Sequence, residues 1–320
     1  MTSFANEYGK KDELKLSVVI TTYDLNRYDD FQECVSEVIQ QEYHSLEIIL
    51  VSETDIVRKK IQEDFVHQNC VKHIHMNNGK NLATARNTGA KSATGDIVVF
   101  IDDDAVPEEN WLSEIERGYK ESSALGVGGQ SLPLWVNSEV SWLPEEFYWL
   151  VGVTHRGFET EEKEVRNTFG CNISFVREVF LSLGGFDTEF GKDHGHNLQG
   201  EESEFCVRLQ EVTGNGIYYV PTAKIRHKVY SEQTEFTWLI DRAFWQGVTK
   251  RFMRNKHKNS TGTEVSYVEF LLLQAMPNYI SDIFSGKNFV LKIHKLIIFI
   301  LLSLSTAFGF FFGGIYNKRL

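Results

Sequence analysis

Short runs of apolar residues alternate with amphipathic segments along the first 130 residues of the chain. Continuous apolar runs of this length predict buried strands, and apolar residues at every third or fourth position predict helices. The predicted strands are residues 16–22, 46–51, 71–76, 97–101 and 125–129. The predicted helices are residues 31–41, 56–66, 81–93 and 107–119. Because strands and helices alternate, we predict an α/β fold with a doubly wound, mostly parallel sheet and right-handed crossovers.

The pattern loosens after residue 130. Residues 133–166 mix aromatic and acidic side chains and predict irregular structure, which could form a lid or acceptor groove or serve only as packing. Further strands are predicted at residues 172–175, 218–220 and 225–229, and further helices at residues 177–183, 201–212 and 236–252. Residues 267–284, interrupted by Pro277, predict a helical segment that lies against a membrane surface.

The C-terminal region contains twenty residues without a charge, residues 296–315. That length suffices to cross a hydrocarbon core of ~30 Å as a helix, so we predict a membrane segment. Gly309, Gly313 and Gly314 soften the final turns, so spanning and folding back both stay open. Basic residues flank the run on both sides and give no orientation. The polar residues 1–15 predict no signal peptide.

Composition narrows the classes of partner. Of 320 residues, 42% are hydrophobic and 24% are charged, as in folded globular proteins. The formal net charge of −11 argues against nucleic acid as the main partner, because a phosphate backbone needs a basic surface. The four cysteines form no C-x-x-C pair, which argues against a disulfide framework or a zinc site and fits a reducing cytosol.

Three consecutive carboxylates, Asp102, Asp103 and Asp104, follow the predicted strand of residues 97–101. Side chains alternate along an extended chain, so Asp102 and Asp104 point one way and Asp103 the other. Neighbouring ionised carboxylates repel one another, and a divalent cation such as Mg²⁺ or Mn²⁺ relieves that repulsion. Open α/β sheets also bind ligands beyond the carboxyl ends of their strands. A helix cap at Asp104 is the simpler alternative, but a cap needs only one such residue.

A second acidic cluster, residues 200–205, opens a predicted helix. The helix dipole favours ionised Glu201 and Glu202 there, and such acids most often only stabilise the helix. Glu202 could instead accept a proton from an acceptor hydroxyl. His227 is a third candidate, although a lone histidine in a strand is usually structural. The chain has neither a G-x-G-x-x-G after the first strand nor a G-x-x-x-x-G-K-[ST], which argues against nicotinamide and P-loop chemistry.

Six motifs resemble, in order, those of the family 2 glycosyltransferases. They are Leu-Ser-Val-Val-Ile-Thr-Thr-Tyr at residues 16–23, Gly-Lys-Asn-Leu-Ala-Thr-Ala-Arg-Asn-Thr-Gly at 79–89, Ile-Asp-Asp-Asp at 101–104, Gly-Cys-Asn-Ile-Ser-Phe-Val-Arg at 170–177, Gly-Gly-Phe-Asp at 184–187 and Gly-Glu-Glu-Ser-Glu-Phe-Cys-Val-Arg-Leu at 200–209. Each motif alone is weak, and their order carries the resemblance. It implies a metal-dependent, inverting enzyme with a nucleotide-sugar-binding fold of the glycosyltransferase A type.

The resemblance implies roles for individual residues. Glu202 stands where the family has its general base, which is more often Asp, while Asp104 and His227 would hold Mn²⁺ or Mg²⁺ on the diphosphate. The family usually has an Asp near Ser52 to contact uracil, so Ser52 or Glu53 would have to serve. The residues expected to line the nucleotide-sugar site are Thr21, Tyr23, Ser52, Glu53, Arg86, Asn87, Asp102 and Asp103.

The residue pattern and the resemblance together predict an order of regions along the chain. These are a polar N-terminal extension at residues 1–15, a nucleotide-sugar-binding half at 16–130, an acceptor-binding half at 131–255, an amphipathic juxtamembrane region at 256–295 and a membrane segment at 296–315. A catalytic region on the cytoplasmic side of the cell membrane is expected from this order.

Within the family, the chain is most similar to archaeal enzymes that extend dolichyl-phosphate glycans. The expected reaction moves one sugar from a UDP-sugar to a polyprenyl- or dolichyl-phosphate-linked saccharide, in protein N-glycosylation or surface glycan assembly. Single addition is expected because the Gln-x-x-Arg-Trp signature of processive synthases is absent from the sequence. A uronic acid donor would need a cation near its carboxylate, and Arg156, Arg166 and Lys192 are the candidates.

Two alternatives stay open at this point. Residues 102–106 also fit the D-x-D-x-[TV] pattern of haloacid dehalogenase-like phosphatases, although several strand–helix units precede them and no later Gly-Asp-x-x-x-Asp occurs. An inactive family member that binds a nucleotide sugar or a partner transferase is the second alternative. Glutamate at Glu202 and the missing Asp near Ser52 are its support.

Overall fold

The computed structural model describes residues 11–65, 67–76, 81–137, 140–190, 198–257, 262–283 and 288–316. Its contacts divide the chain into two compact units. Unit 1 comprises residues 1–132, 160–196 and 200–228, and unit 2 comprises residues 133–159, 197–199 and 229–320. The binding roles predicted for residues 16–130 and 131–255 are not tested by this division and stay predictions.

Unit 1 is built on a sheet of nine strands within the described residues, and the predicted α/β fold is confirmed. The strands are β1 (Leu16–Thr22), β2 (Leu46–Ser52), β3 (Val71–His75), β4 (Ile97–Phe100), β5 (Ala105–Pro107), β6 (Gly126–Trp135), β7 (Lys163–Val165), β8 (Ile173–Val176) and β9 (Ile217–Val229). Their order across the sheet is β3-β2-β1-β4-β8-β6-β9-β5, and β7 pairs with β9.

Parallel pairing joins β3, β2, β1 and β4, the strands that the apolar runs predicted. From β4 onward the described pairs are antiparallel, with Ile97 opposite Val176 and Val127 opposite Ser174. The sheet is therefore mixed, with its parallel part at the N-terminal side. Fully buried strands such as β1 need helices on both faces, which the intervening segments provide.

Ten α-helices lie in the described parts of the chain. They are α1 (Tyr28–Ile39), α2 (Asp55–Phe65), α3 (Leu82–Ser92), α4 (Trp111–Ser122), α5 (Arg177–Ser182), α6 (Glu201–Thr213), α7 (Phe236–Lys256), α8 (Gly262–Phe270), α9 (Met276–Ile283) and α10 (Phe289–Tyr316). Short 3-10 helices cover Leu25–Arg27, Glu145–Val151 and Ser231–Thr234, and a π-helical turn covers Leu271–Ala275.

The three aspartates form a turn between β4 and β5, which we call the aspartate turn (Asp102–Asp104). A helix start at Pro107 was the prediction, and it is wrong. Pro107 belongs to β5, which pairs antiparallel with β9, and α4 begins at Trp111. Because Asp104 precedes a strand, the alternative that it only caps a helix does not apply.

Unit 1 fixes its later motifs to the sheet through buried aromatic rings. Phe175 of β8 packs against Phe205 of α6 with ring centroids 4.6 Å apart. Phe186, in the Gly-Gly-Phe-Asp motif, lies 4.9 Å from Phe100 of β4. These contacts hold the N-terminal end of α6 beside the carboxyl end of β4.

Unit 2 is helical and has a core of its own. Phe147 and Leu150, in the 3-10 helix Glu145–Val151, are almost fully buried in it together with Phe299 and Leu302 of α10. This burial supports the packing alternative for that part of residues 133–166. Among the described residues, α10 has the length and composition of a membrane-crossing helix, a criterion that core helices of soluble proteins also meet.

Candidate functional site

A buried guanidinium links the aspartate turn to α6. Arg86, on α3, donates to Asp102 Oδ1, and its Nη1 donates to Glu201 Oε1 at 2.8 Å. Burial lowers the pKa of Arg86, but the charges of Asp102 and Glu201 outweigh burial and the net shift is upward. Arg86 is therefore a permanently charged tie between two acidic segments that are far apart in the sequence.

Asp104 lies between a histidine and an arginine. His227 Nε2 is 3.3 Å from Asp104 Oδ1, and Arg27 Nη1 is 3.2 Å from Asp104 Oδ2. The strand register, with Ala105 opposite His227, produces this pairing. Burial raises the pKa of Asp104, but His227 and Arg27 bring it below its ordinary value. Burial lowers the pKa of His227, and Asp104 reverses the shift so that it ends higher than usual.

The crowded carboxylates of the aspartate turn affect the pKa of Asp103. Burial first, and then the charges of Asp104 and Asp102, raise the pKa of Asp103 to about 8. Burial and the neighbouring charges therefore disfavour the ionised form of Asp103. The repulsion predicted from the sequence is present in the structure, and it is the kind of repulsion that a divalent cation relieves.

Several donor atoms converge beside the aspartate turn. One oxygen of Asp102, the thiol of Cys171 and a ring nitrogen of His227 lie within 4.8 Å of one another. The Nδ1 atom of His227 is buried and has no hydrogen-bond partner. Sequence reasoning missed Cys171, although it lies between Gly170 and Asn172 in one of the motifs that carry the family resemblance. Together with the Asp104 carboxylate, these donor atoms are candidates within the described residues for holding a cation.

Glu202 lies in the first turn of α6, which follows Gly200 in a left-handed conformation with a φ of 105°. Burial, and then the neighbouring charge of Glu201, raises the pKa of Glu202 to about 7. A Cβ atom at Gly170 would lie 2.9 Å from Arg86 Nη1 and 3.5 Å from Glu202 Cδ. Gly170 therefore leaves space for the Arg86 guanidinium next to this carboxyl group. A carboxyl with such a pKa is suited to accept a proton near neutral pH.

Ser52 anchors a polar cluster at the carboxyl ends of β2 and β3. Its fully buried hydroxyl lies 2.8 Å from His73 Nε2 and 3.1 Å from His75 Nδ1. His75 Nε2 is 3.5 Å from Asp55 Oδ1. Sequence reasoning missed both histidines, which the parallel pairing of β2 with β3 brings to Ser52. The cluster stands where the family resemblance implies a contact to the nucleobase.

The remaining predicted residues lie at the same edge of unit 1. Thr21 is buried in β1, Tyr23 just beyond it is exposed, and Glu53 follows β2. Asn87 donates from Nδ2 to the Phe186 oxygen at 2.8 Å and accepts from the Phe186 N–H at 2.8 Å. Its amide thus holds the Gly-Gly-Phe-Asp turn, and its place beside the ribose stays a prediction.

The three candidate cations for a uronate differ in their surroundings. Arg156, in unit 2, pairs with Glu145 at 2.7 Å. Arg166, in unit 1, donates to Asn167 Oδ1 at 2.8 Å. Burial raises the pKa of the Cys206 thiol on α6, and the nearby charge of Arg166 opposes that rise, so Arg166 lies near the helix that carries Glu202. Lys192 lies outside the described residues.

Residues 17–184, more than half of the chain, match the family described as Glycosyl transferase family 2. The chain belongs to this family. The predicted enzyme class, a glycosyltransferase, is thereby confirmed. A relative from Haloferax volcanii, named glucosyl-dolichyl phosphate glucuronosyltransferase, is 36% identical over 303 residues, which cover 94% of this chain and 96% of that protein. The predicted similarity to archaeal dolichyl-phosphate enzymes is therefore confirmed.

Other relatives match in part or in fold. Glycosyltransferase GlyG from Streptococcus pneumoniae is 30% identical over 171 residues, covering 52% of this chain and 54% of that protein. Among solved structures, mannosyltransferase PcManGT from Pyrobaculum calidifontis, in complex with GDP-Man and Mn²⁺, superposes with a TM-score of 0.58. It is 18% identical and covers 95% of this chain and 93% of its own, so it shows a shared fold.

Proposed function

We propose that this glycosyltransferase moves one sugar from a UDP-sugar to a lipid-linked saccharide, with a divalent cation and inversion at the anomeric carbon. The observation that carries the proposal is the double ion pair of Arg86 with Asp102 and Glu201. Asp102 belongs to the predicted donor site, and Glu201 precedes the predicted base, Glu202. The Arg86 guanidinium thus fixes the proposed donor site relative to the helix that carries the proposed base.

The aspartate turn suits a divalent cation. The buried, unpartnered Nδ1 of His227 and the convergence of Asp102 with His227 supply donor atoms, and Asp104 contacts the other ring nitrogen. Carboxylate ligands favour Mg²⁺ or Mn²⁺, and we expect Asp102, Asp104 and His227 to hold the ion. When bound, such a cation stabilises the negative charge that develops on the leaving diphosphate.

Glu202 acts as the general base in this proposal. It accepts the proton of the acceptor hydroxyl, and the oxygen attacks the anomeric carbon opposite the diphosphate, so one displacement inverts the configuration. Its pKa near 7 makes it both basic enough and ionised enough at neutral pH. Glutamate is one methylene longer than the more usual Asp, and the Gly170 position leaves room for the Arg86 guanidinium that lies beside this carboxyl.

The donor contacts are assigned by position. We propose that Ser52, held by His73 and His75, contacts the base in place of the family's Asp. Thr21 near the end of β1, Tyr23 just beyond β1 and Glu53 just beyond β2 would complete the nucleotide pocket, with Asp103 beside the diphosphate. For a uronic acid donor we favour Arg166, because its charge reaches α6.

The acceptor and setting rest on the Haloferax relative. Its name, glucosyl-dolichyl phosphate glucuronosyltransferase, supports a dolichyl-phosphate-linked acceptor and a glucuronic acid donor for this chain. We propose that residues 16–130 bind the nucleotide sugar and residues 131–255 bind the acceptor. The reaction then takes place on the cytoplasmic side of the cell membrane, in protein N-glycosylation or surface glycan assembly.

A donor screen tests the proposal. Purified protein is incubated with UDP-glucose, UDP-glucuronic acid or UDP-N-acetylglucosamine, a short-chain dolichyl phosphate glucose acceptor, and either Mn²⁺ or EDTA, with mass spectrometry as readout. We expect the acceptor to gain one sugar from one donor, with Mn²⁺ only. Nucleotide-sugar binding without transfer would favour the inactive binding protein, and phosphate release without an acceptor would favour the phosphatase.

A further inference from the structure

Helix α10 is apolar on two faces, and one of them carries large exposed side chains in the described structure. The outer face, as we call it, comprises exposed apolar side chains that recur at helical spacing: Ile297, Ile300, Leu301, Leu304, Phe311 and Ile315. Phe308 and Phe312 lie at its edge, where their rings contact that of Phe244 on α7. Phe311 is 74% exposed and Leu304 60% exposed. The face extends over about 28 Å at 1.5 Å per residue and includes no polar side chain in this described helix. A soluble protein rarely exposes a continuous apolar stripe of this length unless the stripe binds a partner.

The opposite face of α10 packs tightly on α7. A Cβ atom at Gly247 would overlap the backbone oxygen of Thr306, and one at Gly309 would overlap the backbone oxygen of Phe244. Ser305 Oγ donates to the Ile240 oxygen at 2.8 Å. Small residues therefore bring the two backbones into contact on both sides of the crossing. The two helices form one built unit, and any placement of α10 also places α7.

Helix α7 is too charged to enter a hydrocarbon core. It carries five Lys or Arg residues and one Asp. Ser305, at the middle of the uncharged run 296–315, contacts Ile240 of α7. Asp241 is the next residue of α7, and the Asp241 side chain is exposed. Nearer the end of the run, the guanidinium of Arg254 lies 5.8 Å from the ring of Phe310. A spanning α10 would thus carry charged groups of α7 to the bilayer centre, where they are strongly disfavoured.

We propose that unit 2 is a monotopic membrane module, in which α10 lies along the bilayer surface and its outer face enters the boundary between headgroups and acyl chains. This placement keeps the seam with α7 and leaves the charges of α7 at the level of the headgroups. The occupant we assign is a bilayer that contains anionic phospholipid. It does not depend on the donor or acceptor proposed above.

Charge complementarity supports an anionic bilayer as the occupant. The whole chain has a formal net charge of −11, yet α7 is strongly basic and α10 contains Lys292 and Lys295 without an acid. Exposed apolar side chains of α8 and the π-helical turn, Val265, Val268, Leu272 and Leu273, add further lipid contacts. An interfacial helix with cations beside an apolar face binds an anionic membrane through burial of its apolar side chains and through electrostatic attraction.

The first test is topology. The full chain is expressed with an N-terminal and a C-terminal epitope tag, and spheroplasts are treated with an external protease before and after lysis. We expect both tags to be protected in intact spheroplasts and both to be cleaved after lysis, since neither end crosses the membrane. Cleavage of the C-terminal tag alone in intact spheroplasts would overturn the proposal.

The second test is vesicle flotation with phosphatidylglycerol–phosphatidylcholine vesicles. The double substitution Leu304→Asp with Phe311→Asp should lower vesicle binding at least about tenfold, because both side chains lose their apolar contact. The matched control, Ile56→Asp with Val212→Asp, changes exposed apolar residues of unit 1 and should float like the wild type. Thermal unfolding checks that the proteins are folded.

The same assay separates charge from apolar contact. Arg254→Gln with Lys256→Gln should weaken binding to anionic vesicles several-fold and leave binding to pure phosphatidylcholine vesicles unchanged. Undiminished flotation of the Leu304→Asp, Phe311→Asp protein would contradict the outer face as the lipid contact. A fall in sedimentation mass from dimer to monomer with unchanged flotation would assign that face to a second copy and also contradict the proposal.

Discussion

Unit 1 buries charged side chains, whereas unit 2 exposes apolar side chains at its surface. Arg86, Glu201 and Asp104 are buried in ion pairs, and Leu304 and Phe308 of α10 face outward. Buried ion pairs rarely stabilise a fold more than apolar packing would, and an exposed apolar face costs solubility. Neither feature is explained by the stability of its own unit. In the functions proposed above, each marks a ligand: a nucleotide sugar with its cation in one case and lipid in the other.

The largest effect is expected at the aspartate turn. Asp104→Asn removes a carboxylate that we assign to the cation, so sugar transfer in the presence of Mn²⁺ should fall by about 10³ or more. Asp96→Asn is the matched control, because Asp96 lies in unit 1 and its carboxylate accepts from Lys11 and from the Lys15 N–H, away from the site. Steady-state transfer assays check both. Full wild-type activity in EDTA would remove the reason for assigning a cation here.

The next effect concerns the base. Glu202→Gln keeps the shape of the side chain and removes proton acceptance, so we expect turnover to fall by about 10²–10⁴ while donor binding persists. Glu211→Gln, on the same helix and away from the site, should keep wild-type turnover. Initial rates and calorimetric donor titration separate the two properties. Unchanged turnover in the Glu202→Gln protein would show that another group takes the proton.

Truncation of α10 and substitution on its outer face should affect the folding of unit 2 differently. Removing the residues from Leu296 onward deletes Ile298, Phe299 and Leu302 from its core, which should cost several kcal/mol and leave unit 2 misfolded. The outer-face substitutions Leu304→Asp and Phe311→Asp should instead keep the core intact. Circular dichroism and limited proteolysis compare the two proteins. A truncated protein that stays soluble, folded and active would mean that α10 is a detachable anchor.

The smallest expected effect is a pH dependence of the free energy of unfolding, which follows from the pKa of Glu202. The folded-state pKa of Glu202, about 7, lies above the ordinary value of 4.5, so the folded state binds the extra proton in that window. Stability therefore falls as pH rises from about 4.5 to 7. Glu202→Gln should raise the free energy of unfolding by about 1–2 kcal/mol at pH 8 and leave it unchanged at pH 4.

The same pKa predicts the pH dependence of the wild-type reaction. Because the base must be ionised, the transfer rate should fall below pH 7 and level off above it, and a bound cation would move that midpoint downward. Chemical denaturation at pH 4 and 8 and a pH–rate profile measure the two effects. A rate that increases toward acid pH would rule out a carboxylate base.

Local patterns predicted what lies within one segment. The apolar run of residues 16–22 became β1 with the same bounds, and the acids of residues 200–205 open α6 as expected. The resemblance brought Asp104 and His227 together, and the strand register then placed them 3.3 Å apart. The first two features depend on side-chain periodicity within one segment, whereas the Asp104–His227 contact was expected from the family resemblance alone.

Features that depend on distant pairing escaped prediction. β5 is three residues long and exists because residues 105–107 pair with residues 225–227, so the helix start at Pro107 was misplaced. Cys171 and His73 reach the site through β8 and β3, whose neighbours in the sheet no local pattern specifies. The seam of Gly247 and Gly309 is likewise a contact between helices far apart in the sequence.

The most direct test of the central claim is the effect of Mn²⁺ on UDP binding. Isothermal titration is run with the wild type and with the Asp104→Asn protein, each with Mn²⁺ and with EDTA. If the aspartate turn holds a cation that binds the diphosphate, Mn²⁺ should tighten UDP binding by the wild type at least about tenfold and should have little effect on the variant. Equal UDP affinity with and without Mn²⁺ in the wild type would contradict the account.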